Sequence, residues 1–314
     1  MNGCTHEQRV FDRRAVAEAV ESSCLMELGV MKPGNVSVHA GGQGKTAEDF
    51  MRSARAIAPE LSRPGISVGE RILNAIRSTR RVVDCNTNLG IVLLCAPLAH
   101  AALQLVHGQS LRQSLRATLQ GLDRRDTQWC YEAIRLARPG GLGVVPQHDV
   151  AEEEPRTGLL QAMAAAAVHD RIARQYVTDF GDVFDVAVPH LQAASARLQS
   201  CEQATMMTYL YLLGEIPDTH IQREFDKHVA NSVCRKAKQL YAELDDQQIQ
   251  ENRLFSHLSE FDKELKRKSI NPGTTADVTV AALMVLHLQN RQEITGKLLV
   301  NGPGPARYAG PAFF

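Results

Sequence analysis

The 314 residues carry 44% hydrophobic side chains, and a chain of this length can build either one large core or two smaller ones. Lys+Arg and Asp+Glu both number 35, a formal net charge of zero, which argues against nucleic acid or an anionic membrane as the main partner. The seven cysteines are scattered, odd in number and form no C-x-x-C pair, which fits neither a disulfide framework nor a zinc site and points to a reduced, cytoplasmic protein.

No apolar h-region accompanies Arg9, Arg13 and Arg14, so no signal peptide is read at the N-terminus. From Arg9 to Met31 the apolar positions Val10, Phe11, Val16, Val20, Cys24, Leu25 and Leu28 recur at intervals of three and four, which predicts a first helix. That helix delivers Glu27 to a glycine-rich stretch ending at Phe50, with Lys32, Asn35, Ser37, His39, Lys45 and Asp49 among its polar residues. Glycine loses the most backbone entropy on ordering and Pro33 lacks a donor, so the stretch is expected as a surface loop. Lys32-Pro33-Gly34-Asn35 reads first as a plain type II turn, with a ligand loop as the alternative.

A T-x-x-D box at Thr46 and Asp49 closes the loop and opens a helix over Phe50 to Ile57. Val68 to Arg81 is helical in pattern. Asn86-Thr87-Asn88-Leu89-Gly90 then caps an apolar run from Leu89 to Val106. Pro97, His100 and Gln104 interrupt that run, so a buried helix is expected there and not a membrane span. Ser110 to Gln120, Arg125 to Ala137 and Thr157 to Tyr176 are periodic and rich in helix formers. Between the last two, Arg138 to Gly143 and an acidic loop to Pro155 are long enough to act as a lid. Phe180 to Leu198, Glu202 to Leu213, Ile221 to Leu244 and Leu254 to Lys268 continue the helical pattern. A second T-x-x-D box, Thr274 and Asp277, is expected to cap Val278 to Gln289. No run alternates with the period of a strand. The class is all-α, with one multi-helix domain over 1–300 and a frayed tail over 301–314.

Four polar clusters share one design, standing at helix starts after glycine, proline or a short polar turn. They are Lys32 to Asp49, Asn86 to Gly90, Asp218-Thr219-His220 with Arg223, and Asn271 to Asp277. Each is explained by itself as an N-cap, because Asp, Asn and Thr satisfy free amide donors. Together they also suggest a nucleotide triphosphate site, since helix N-termini receive anions and carboxylates bind phosphate through magnesium. Gly41-Gly42-Gln43-Gly44-Lys45 lacks the spacing of a phosphate loop and no strand precedes it. Nucleophile-elbow, zinc-protease and dinucleotide-binding motifs are absent.

In order along residues 15 to 290, E-x-x-x-x-K-P-G-N-V-S, N-T-N-x-G, E-A-I-R-L-A-R-P-G-G-L-G, R-I-A-R-Q-Y-x-x-D-F-x-D-V-F, D-T-H-I-x-x-R and P-G-T-T-A-D resemble the triphosphoribosyl-dephospho-coenzyme A synthase family. The resemblance implies an all-helical transferase in which the 2′-hydroxyl of dephospho-coenzyme A displaces adenine from C1′ of ATP. It implies Glu27, Asp49 and Asp277 as catalytic or metal-binding carboxylates, with Mg2+ as cofactor. Lys32, Asn35, His39, Asn86, Thr87, Asn88, Gly90, Asp218, Arg223, Gly273 and Thr274 are the implied substrate contacts.

Two departures stand out. Asn88-Leu89 replaces the family's His-Lys, and Glu224-Phe225 follows Arg223 where glycines are usual. They leave open a different acceptor, with ATP-dependent ribosyl or nucleotidyl transfer in making a one-carbon cofactor of pterin or furan type. A non-catalytic helical nucleotide-binding or scaffold protein is the reading from another class.

Overall fold

The structure is a computed structural model that describes residues 9–42, 44–140, 155, 157–245 and 251–301. It is all-α, with 14 helices and no strand among the described residues. The acidic lid loop falls almost wholly outside them, as does the tail beyond Asn301.

The first helix, α1 (Arg13–Gly29), begins later than its periodicity predicts, because Asp12 caps it by accepting from the amide of Ala15 at 2.7 Å. α2 (Ala47–Leu61) and α3 (Val68–Val82) follow, and then α4 (Leu89–Gln104). α4 is apolar around nearly its whole circumference and runs buried through the centre. Pro97 lies inside it and cannot donate to the Leu93 carbonyl, and Tyr176 supplies the missing donor through its hydroxyl at 2.6 Å. No helix among the described residues is long and apolar enough to cross a membrane.

α5 (Leu111–Gln120) and α6 (Arg124–Ala137) lie as predicted. The segment expected as one helix over Thr157 to Tyr176 is two, α7 (Leu159–Ala166) and α8 (Arg171–Val177), because Asp170 caps α8 through the amides of Ile172 and Ala173. A π-helical turn, Asp182–Ala187, leads into α9 (Val188–Leu198), and α10 (Cys201–Glu215) follows. The segment Ile221 to Leu244 also divides, into α11 (Thr219–Glu224) and α12 (Lys227–Asp245), since Asp226 accepts from the amide of Val229 and starts a new helix. α13 (Glu251–Arg267) and the long α14 (Gly273–Asn301) complete the chain.

Two large apolar clusters and a small one around Leu191, Ala194, Ala204 and Leu283 form the core. The larger joins α1 to α8 with the π-helical turn and the body of α14, and the second joins Val30, Met31, α10, α12 and α13 with Ala276 at the start of α14. The start of α14 therefore lies at the seam between the clusters.

The glycine-rich stretch corrects the expectation of a surface loop, because Met31 to Ser37 is buried. Its backbone polar groups find partners from distant helices. The amide of Gly34 donates to Asp262, and the Pro33 carbonyl accepts from the Tyr209 hydroxyl. Gly34 is required at φ 81°, and a Cβ there would stand 2.7 Å from the Pro272 ring.

Candidate functional site

A cleft of about 430 Å³ opens at the seam. It is lined by Glu27 and Asn35 from the end of α1 and its loop, by Asn86 to Ile91 at the start of α4, by His220, Arg223 and Glu224 on α11, and by Asn271, Gly273, Thr274, Ala276 and Asp277 at the start of α14. All four polar clusters contribute residues to it.

The floor on the α1 side is a buried ion pair. Lys32 donates through Nζ to Glu27 Oε1 at 2.5 Å and to the Val36 carbonyl at 2.8 Å, with Asn35 Oδ1 at 3.3 Å. Burial pushes the Glu27 carboxyl up and the Lys32 ammonium down, and each partner opposes the other's shift. Lys32 is fully buried beneath the cleft and does not line it. Asn35 Nδ2 donates to Asn271 Oδ1 at 2.8 Å and ties this loop to the start of α14.

Asp277 does not complete the predicted capping box. α14 has already begun at Gly273, so Asp277 lies a full turn inside it and lines the cleft. Its carboxylate packs against Gly90, where a Cβ would stand 2.5 Å from the carboxyl carbon. It accepts no hydrogen bond among the described residues. Burial, followed by the nearby carboxylates of Asp218, Glu27 and Asp170, holds its pKa well above the usual carboxylate range, with Arg223 pulling it back.

Asp218 takes over the capping work. Its Oδ1 accepts from the amides of His220 and Ile221, and its Oδ2 accepts from the amide and hydroxyl of Thr275 at 2.8 Å, so one carboxylate caps α11 and α14 together. It is buried behind the cleft lining, and Thr274 accepts from the His220 amide at 3.2 Å. Arg223 extends along the cleft and donates to Asp170 Oδ2 and to the Gly140 carbonyl, both at 3.2 Å.

At the start of α4 the side chains are organised among themselves. Asn86 Oδ1 caps the Leu89 amide, Thr87 bonds Ser53 on α2, and Asn88 bonds Thr79 on α3. Two predicted residues fall elsewhere. Asp49 keeps its carboxylate in the predicted capping box, accepting from the Thr46 amide and hydroxyl, and does not line the cleft. His39 donates through Nε2 to the Gly29 carbonyl and packs edge-on against Phe255, in a separate groove beside α13. The cleft also holds residues that the sequence reading missed, notably Asp170, Asp84, Arg80 and Arg138. Asp170 could have been found as a fifth polar helix start, directly before Arg171.

Among the described residues, no three His, Cys, Asp or Glu side chains stand together closely enough to hold a metal by themselves. The expected trio of Glu27, Asp49 and Asp277 is therefore not assembled as a ligand set. Magnesium carried by a triphosphate needs only one or two protein carboxylates, and Glu27 and Asp277 both line the cleft. The unpartnered carboxylate of Asp277 fits that requirement.

Fold and cleft together describe an all-α protein with carboxylates on the floor and cations on the rim of one polar cleft. The family model of CitG, ATP:dephospho-CoA triphosphoribosyl transferase, matches residues 13–296. The chain belongs to this family, whose substrates are ATP and dephospho-CoA. Among solved structures, it resembles one from Archaeoglobus fulgidus assigned as a triphosphoribosyl-dephospho-CoA synthase, at a TM-score of 0.56 and 22% identity over 74% of this chain and 95% of that one. That likeness concerns the fold. No curated protein matches.

Proposed function

We propose that the chain binds ATP in this cleft and transfers its triphosphoribosyl group to the 2′-hydroxyl of dephospho-CoA, releasing adenine. The observation that carries this reading is Asp277, a carboxylate on the cleft floor with no hydrogen-bond donor among the described residues and a raised pKa. Displacement at C1′ needs a group that takes the acceptor's proton and negative charge that favours an oxocarbenium-like state. Asp277 supplies the first and Glu27 the second.

Arg223, Arg80, Arg138 and Lys45 line the cleft and offer charge to the triphosphate. Glu27 and Asp277 would hold magnesium, which when bound neutralises phosphate charge. The Glu27–Lys32 pair and the Asn35–Asn271 bond fix the floor, so that little reorganisation accompanies reaction.

A second reading is favoured by the two departures, because Leu89 and Glu224 both line the cleft. An apolar side chain and a carboxylate there suit an acceptor less anionic than dephospho-CoA, such as a one-carbon cofactor precursor. Mass spectrometry of the acceptor separates the readings. Addition of a triphosphoribosyl group to dephospho-CoA supports the first, whereas the same addition only to a component of a cell extract supports the second.

A further inference from the structure

Adenine is a poor leaving group as an anion, so breaking the C1′–N9 bond calls for a proton donor as well as a base. His220 lines the same cleft as Asp277, on the opposing helix. Its backbone amide is pinned by Asp218 and Thr274, which fixes the origin of the side chain. Its ring stands over Gly273, where a Cβ would come within 2.7 Å of Nδ1. Nε2 is buried and makes no hydrogen bond, yet lies 3.1 Å from Glu224 Oε1, close enough for an ion pair but out of line. A half-buried imidazole with neither nitrogen committed, beside a carboxylate one turn away, is arranged to carry a proton and not to hold the fold together.

Resting on the reading above, we propose that His220 is the general acid of the reaction, giving a proton from Nδ1 to a ring nitrogen of the departing adenine while Glu224 retains the proton on Nε2. The step balances. The C1′–N9 pair goes to adenine, the acceptor's 2′-oxygen bonds to C1′, its proton passes to Asp277, and after release Asp277 gives that proton up to solvent while His220 recovers one from it. Glu224 is then a positioning residue, and the glycine at 273 leaves room for the ring.

The test uses the full chain with ATP and with 7-deaza-ATP and 3-deaza-ATP, each of which lacks one nitrogen that could accept the proton. Unmodified protein should lose roughly 100-fold in base release on one of the two analogues, the scale of general acid catalysis. His220→Gln should lose a similar factor on ATP and almost nothing further on that analogue, because the step it removes is already absent. Glu224→Gln should lose roughly 10-fold on ATP with the same insensitivity, and it carries the test if His220→Gln fails to fold. A His220→Gln protein that retains full activity, or that loses the same factor on ATP and on both analogues, overturns the assignment. If the unmodified protein releases no adenine from ATP with dephospho-CoA or with any extract, the transferase reading itself has failed and takes this one with it.

Discussion

Gly90 on α4 and Asp277 on α14 are in such close contact that any side chain at position 90 would overlap the carboxylate. The contact joins the starts of two helices from different parts of the chain, and it sets where the charge on the cleft floor lies. Gly90→Ala should therefore separate stability from activity. Alanine favours a helix over glycine by up to about 1 kcal/mol, which offsets part of the crowding. Displacing the carboxylate by about 1 Å should cost roughly 100-fold in turnover. Thermal melting and a rate assay on the same preparation check both, and an unchanged rate would show that the position of Asp277 is unimportant.

The Glu27–Lys32 pair gives a different expectation from the one the family resemblance implies for Lys32. Because the ammonium is buried on Glu27 and the Val36 carbonyl, Lys32→Met should destabilise the chain by about 3–5 kcal/mol through the carboxylate left unpaired. Chemical denaturation measures this. A variant of unchanged stability and raised KM for ATP would instead make Lys32 a phosphate ligand.

Asp277 also makes stability depend on pH. Its folded pKa is raised above the ordinary 3.8, so above that pH the folded chain holds a proton the unfolded chain has lost. Stability is then fully present below 3.8 and falls as pH rises through the folded value. Asp277→Asn removes this loss, so it should melt a few degrees higher at neutral pH, with the advantage shrinking as pH falls toward 3.8, while adenine release is abolished. A lower melting temperature at neutral pH would mean that the carboxylate is a structural acceptor.

The comparison of two T-x-x-D strings shows what the sequence could and could not reveal. At Thr46 the helix begins one residue later and Asp49 returns to the Thr46 amide, so the box forms as the local pattern predicts. At Thr274 the helix is already under way, because Asp218 on another helix caps it, and Asp277 is freed for the cleft. Local spacing encodes a helix start but not which neighbour satisfies it. The same limit explains the buried loop, whose amide partner Asp262 is 228 residues from Gly34 and whose donor Tyr209 is 176 from Pro33. Periodicity was sufficient for α2, α3, α5 and α6, where one apolar face repeats without interruption. It failed at Asp170 and Asp226, where a single capping carboxylate divides a continuous pattern.

Magnesium should strengthen ATP binding. With Glu27, Asp170 and Asp277 lining the cleft, a bare triphosphate meets like charge, and the metal converts repulsion into ligation. Calorimetric titration with and without magnesium should differ by roughly 10-fold or more in Kd, ~1.4 kcal/mol. Equal affinities would assign phosphate binding to Arg223 and the other cations alone.

The bond that breaks is the most direct evidence for the reaction. Chromatography of ATP incubated with the protein, magnesium and dephospho-CoA should yield free adenine in equal amount to the triphosphoribosylated acceptor. Release of ADP or pyrophosphate in its place would mean that a phosphoryl or nucleotidyl bond is cut, and would contradict ribosyl transfer at this cleft.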